Sequence, residues 1–363
     1  MRSKPFHDRR GMSLAELLVV VAILGLLVVT VVPTLATTAE SRRGREASRT
    51  ISTFIAQAQA RAVGRTEWSG FWIIAASNAS PVGTDLVFAT VPEMYRGDTV
   101  DASVQVGPSD VSSTGRPRRT LSFSPNAIGM VGSGPGLVNV QSRDLIRLGG
   151  KGPWYELVSA SSGAFEICLR THETPGDSIE DAGQTKRNTP WPTSGVSQSF
   201  EILRYPESAG TPSPIPNGRV IDLYWSGFGP DGVNETFATG ETRFYANTST
   251  VQFGNVAILF DSTGRVRKVV APDVVSGSAV SIRKTVTGPI LLLVGRADRA
   301  GQAPATLNAG DDTLGANWQY ADSYWIGIDP VTGVVRTAAC TPGAATVVAS
   351  QAWIRQNLLK SGG

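Results

Sequence analysis

From Leu14 to Val32 the chain is apolar except for Glu16 and Thr30, and this run constrains the fold more than any other feature. At about 1.5 Å per residue, a helix of that length approaches the roughly 30 Å hydrocarbon core of a bilayer. The apolar centre of an ordinary secretory signal covers about 7–15 residues, although Ala36 and Ala39 supply the small residues of a conventional cleavage site. Arg2, Lys4, Arg9 and Arg10 precede the run and Arg42, Arg43, Arg45 and Arg49 follow it, so charge asymmetry does not orient it. Glu16 is the anomaly. A carboxylate at the centre of a membrane helix costs about 2.5–3.5 kcal/mol, less near an end, and therefore calls for a partner. The other reading places it in the first helical turns, favoured by the macrodipole and reaching water at the interface.

Past Pro33 the chain stays rich in Ala, Arg, Glu and Gln, and Ile51, Phe54, Ile55, Ala58 and Ala62 recur on one helical face. Gly64 is a C-terminal cap for that helix. The pattern predicts one long helix from Met12 to Val63, bent at Pro33 and loosened at Gly44.

After Gly64 the period changes to two. Strands are expected at 71–76, 85–91, 103–106, 120–124, 137–141, 155–160, 165–170, 200–205, 219–225, 255–260, 265–270, 289–295, 324–329 and 333–338. Two hairpins stand out, with turns built on Gly264 and Gly333. Loops are expected at 171–199, 205–218 and 295–317, and a closing amphipathic helix carries Val347, Ile354 and Leu358 along one side. The expected fold class is α+β: a long N-terminal helix packed on a large antiparallel β-rich head.

The totals narrow the chemistry. Hydrophobic content of 41% with 17% charged residues, 39 Gly and 22 Pro describes a globular, turn-rich chain rather than a disordered one. A net charge of +3 over 363 residues does not call for nucleic acid. His7 and His172 are the only histidines, which rules out a two-histidine metal site in the body. Cys168 and Cys340 could form one disulfide in an exported body or stand as isolated thiols, since the sequence gives no distance. The acidic pair Asp311 and Asp312 in "NAGDDTLG" is a calcium candidate, set against solvated loop acids because the EF-hand pattern is absent. "GSGPG" at 132–136 reads as a flexible turn, without the strand-to-helix switch of a phosphate loop. No paired carboxylates or nucleophile elbow mark an enzyme, and no cofactor is expected.

The junction "RRGMSLAE" resembles the type IV prepilin leader, a short basic segment ending in glycine. The resemblance implies cleavage after Gly11 by prepilin peptidase, an N-methylated Met12 as the new terminus, and Glu16 as the fifth mature residue. It implies that Glu16 pairs with the N-terminal amine of a neighbouring subunit, and that Pro33 stands where many pilins carry a helix-kinking proline. Met12 in place of the commoner phenylalanine and Ala15 in place of a larger aliphatic depart from the pattern. The end of the helix, "FIAQAQARAVGR", and the Asp261–Gly264 hairpin look like those of H-type minor pseudopilins. The domain plan implied is a leader over 1–11, a transmembrane segment over 12–33, an amphipathic continuation over 34–64, a head over 65–342 and a C-terminal helix and tail over 343–363. Such a protein would cross the bacterial inner membrane once, with its leader in the cytoplasm and its head in the periplasm. Its partners would be prepilin peptidase and other pseudopilin or pilin subunits. A type II secretion pseudopilus is the expected setting; a minor pilus or DNA-uptake pilin, or a membrane-anchored exported binding module, are the alternatives.

Overall fold

The computed structural model describes residues 14–108, 118–124, 144–161, 164–169, 191–229, 242–247, 250–275, 278–286, 288–306, 315–344 and 346–361. The helix α1 (Leu14–Ala62) is continuous through both Pro33 and Gly44. Gly64, at φ +81°, follows its end as the left-handed cap expected there.

The strands are β1 (Ser69–Ala75), β2 (Val82–Thr90), β3 (Val104–Val106), β4 (Arg118–Phe123), β5 (Leu145–Leu148), β6 (Tyr155–Ser161), β7 (Ala164–Leu169), β8 (Phe200–Leu203), β9 (Glu207–Pro214) and β10 (Arg219–Phe228). They continue as β11 (Thr242–Arg243), β12 (Ala246–Asn247), β13 (Val251–Gln252), β14 (Val256–Phe260), β15 (Val266–Val275), β16 (Ser278–Lys284), β17 (Ile290–Arg296), β18 (Tyr324–Ile328) and β19 (Val335–Ala339). The chain closes with helix α2 (Val347–Ser361). Thirteen of the expected strands coincide with observed ones; the remaining expectation, 137–141, lies outside the described residues, as do residues 171–190 of one expected loop.

Eleven strands form one sheet in the order β16-β15-β14-β1-β2-β10-β17-β18-β19, with β9 paired to β2 and β11 to β10. Six more form a second sheet, β3-β4-β7-β6-β5-β8. The chain enters the second sheet after Thr90 and returns at Glu207, and these two residues are paired partners on β2 and β9. The small sheet is thus an insertion spliced into a hairpin, with its own core around Ile146, Leu157, Phe165, Ile167, Phe200 and Ile202.

The large sheet is covered on both faces. The C-terminal half of α1 lays Ala47, Ile51, Phe54, Ile55, Ala58 and Ala62 against Phe71, Ile258, Phe260 and Leu292. On the other face α2 packs Val347, Ile354 and Leu358 against Leu291, Leu293 and Trp325. Sandwiched strands have no wet face, which is why β14, β17 and β18 read as apolar runs rather than as alternations.

One expectation is corrected. The prolines of residues 205–218 predict a loop, yet 207–214 form strand β9. Its mostly exposed residues have no apolar alternation to read, and its prolines are tolerated on a strand paired on one side.

Candidate functional site: an exposed apolar half-helix clamped to the head

The N-terminal part of α1 presents apolar side chains to solvent: Leu14 is 82% exposed, Leu18 65% and Leu26 70%. A contiguous apolar surface of this kind marks an interaction site in water. Glu16 lies in the first turn, where the helix dipole favours a carboxylate. Among the described residues no helix is long and apolar enough to cross a membrane; the side chains of residues 27–38 lie outside them.

What holds this helix to the head is a clamp at each end of the packed half. At the near end, Arg219 at the start of β10 is 2% exposed and donates Nη2 to the Glu40 carboxylate of α1 at 2.7 Å and to the Glu40 carbonyl at 2.9 Å. Its Nη1 donates to Asp322 at 3.2 Å, and the other Asp322 oxygen accepts from Arg299, itself 1% exposed, at 3.1 Å. The Arg299 guanidinium lies 3.6 Å from the Tyr320 ring centroid. Two buried arginines therefore meet two carboxylates, the charge balance that such burial demands. Gly44 sits one turn along, and a side chain there would overlap the Asp322 carbonyl oxygen. Its missing side chain permits a close approach of helix to head there.

At the far end the two hairpins singled out in the sequence dock on one another. Gln59 of α1 donates Nε2 to the carbonyl of Gly333 at 2.5 Å and to that of Gly264 at 3.4 Å. Both turn glycines have positive φ, +80° at Gly264 and +73° at Gly333. A side chain on Gly333 would strike the Gly264 carbonyl. Asp261 shapes the first turn: burial pushes its carboxyl up, but the Thr263 hydroxyl and the N–H groups of Thr263 and Arg265 outweigh it and hold it below the usual range. Phe54 stacks on Phe88 at 4.4 Å, and Arg61 covers that ring at 3.5 Å.

Of the other residues named from sequence, Gly11, Met12, Asp311, Asp312 and His172 lie outside the described residues. Pro33 lies within the helical backbone of α1. The Cys168–Cys340 disulfide does not form: both are buried thiols, Cys168 on β7 of the small sheet and Cys340 just after β19 of the large one. Burial raises the Cys340 thiol well above its ordinary range. Among the described residues no cluster of three or more His, Cys, Asp or Glu could hold a metal ion. The clamp residues Glu40, Arg219, Arg299 and Asp322 gave no local signal, because each belongs to a different element and none repeats a pattern.

Residues 6–32 match the family model of the prokaryotic N-terminal methylation motif. This N-terminus is type IV pilin-like. The motif marks a type IV pilin-like chain, processed by prepilin peptidase for assembly with other pilin-type subunits. No curated protein and no solved structure matches the chain.

Proposed function

We propose that this chain is a minor pseudopilin, processed by prepilin peptidase and built through its N-terminal helix into a type II secretion pseudopilus. The observation that carries the reading is the methylation motif at residues 6–32 joined to a helix that is apolar and exposed over its first described turns, 14–26, and clamped to a large head over its second half. The work is mechanical and involves no cofactor. Gly11 marks the cut, Met12 becomes the methylated terminus, and Glu16 pairs with the terminal amine of the adjacent subunit, which removes the cost of a lone carboxylate in lipid. The uncut chain crosses the inner membrane once, leader in the cytoplasm and head in the periplasm. The secretion setting is favoured over a minor pilus or DNA-uptake subunit by the helix end and the Asp261–Gly264 hairpin, which pack together through Gln59.

Mass spectrometry of the mature protein tests this. The expected N-terminus is N-methylated Met12, and Gly11→Ala should retain the leader. A start near Thr37–Glu40, or an uncut Met1, would instead leave an exported binding module on an ordinary anchor. Glu16→Val should be processed normally yet fail to enter the filament; normal incorporation would remove the pairing role.

A further inference from the structure

A cleft of about 720 Å³ opens between the large sheet and the inserted small one. That size and a position between two packed units are those of ligand sites, which run to about 300–1,000 Å³. Its walls carry Arg147, Arg267, Lys268 and Arg283 against a single carboxylate, Glu67.

The cations are differently committed. Arg147 is already neutralised by a hydrogen-bonded ion pair with Glu201, which holds that carboxyl below its ordinary range. Arg283, 4% exposed, donates to the main-chain carbonyls of Leu203 and Arg204, and Lys268 donates to the Thr285 hydroxyl. Arg267 is exposed, lies 5.7 Å from the Trp68 ring centroid, and makes no ion pair with any described carboxylate. On the small-sheet wall Arg147 lies 4.9 Å from the centroid of Trp154 in the same manner. An indole under a guanidinium fixes its plane while leaving the N–H fork pointing outward.

We propose that this cleft binds an acidic, apolar segment of another polypeptide, with a carboxylate of that segment on the Arg267 fork. Guanidinium groups accept carboxylate and phosphate alike, so the rest of the lining decides. Val91, Leu145 and Leu203 line the cleft together with the cations, an apolar wall that fits an apolar body and would be left uncovered by a bare anion. A single nucleic-acid strand needs bare aromatic faces for its bases, whereas Trp68 and Trp154 are each already covered by an arginine.

The full chain, leader uncut and held in detergent, can be assayed for retention of two degenerate heptapeptide pools, one of Asp, Glu, Leu and Phe and one of Asn, Gln, Leu and Phe. The acidic pool should be retained about tenfold better, and Arg267→Ala should abolish about that preference. Arg267→Lys should restore part of it, and Arg336→Ala, which does not line the cleft, should leave it intact. An unchanged thermal transition in Arg267→Ala shows that the loss is not one of folding. Equal retention of both pools, retention of neither, indifference to Arg267→Ala, or displacement by inorganic phosphate or oligothymidylate would each overturn the proposal. Because the chain is uncut, the result is independent of whether Met12 is the mature terminus.

Discussion

At the scale of single residues, the molecule spends its strongest interactions on fastening the helix. Replacing Gly44 by Ala gains about 1 kcal/mol of helix propensity, but the new methyl group overlaps a backbone carbonyl that cannot swing aside. The overlap wins: we expect a net loss of about 1–3 kcal/mol in denaturant unfolding. Arg219→Met should cost more, about 3–5 kcal/mol, because it leaves Glu40 and Asp322 facing each other at a buried junction. Asp222 on β10 is fully buried; burial pushes its carboxyl up to about 6 although Asn317 and the N–H groups of Gly301, Trp225 and Tyr224 pull it down. Its folded value exceeds the unfolded 3.8, so the folded state holds the proton more tightly. Its contribution to stability is therefore full below pH 3.8 and is lost as pH rises through about 6, by about 3 kcal/mol. Unfolding free energies measured across that window should show the decline, and Asp222→Asn should flatten it.

At the scale of elements, α1 does two jobs with one backbone. Its spacing shows the second job plainly, since Ile51, Phe54, Ile55, Ala58 and Ala62 are all buried as their periodicity requires. Ile51→Ala should destabilise the chain by about 2–5 kcal/mol and raise hydrogen exchange along α1 beyond Ala47. β9 teaches the opposite lesson. Proline, glycine and exposed polar residues carry no strand signal, and only its partner β2 makes it a strand.

At the scale of the whole molecule, the inserted small sheet has a core distinct from that beneath α1. Its ends leave and rejoin one hairpin, so it can open without unravelling the large sheet. Ile167→Ala should speed hydrogen exchange in β4 to β8 while leaving β14 and β17 protected; equal acceleration in both sheets would show one cooperative unit. The same splice creates the cleft, because its walls come from the two different sheets.

The N-terminal sequence alone, "RRGMSLAE" followed by an apolar run, determined the pilin-like character of this chain, because basic residues, glycine, acid and apolar run are contiguous and each is legible in residue type. Local periodicity likewise determined the long helix and most strands of the head. Tertiary structure decided the rest: the meeting of Glu40, Arg219, Asp322 and Arg299, the docking of the Gly264 and Gly333 turns on Gln59, the separation of Cys168 from Cys340, and the division of the described head into two large sheets and a small two-stranded ribbon. Those features depend on contacts between residues far apart in the chain. A periodic pattern records which face of an element is buried, but not what it is buried against.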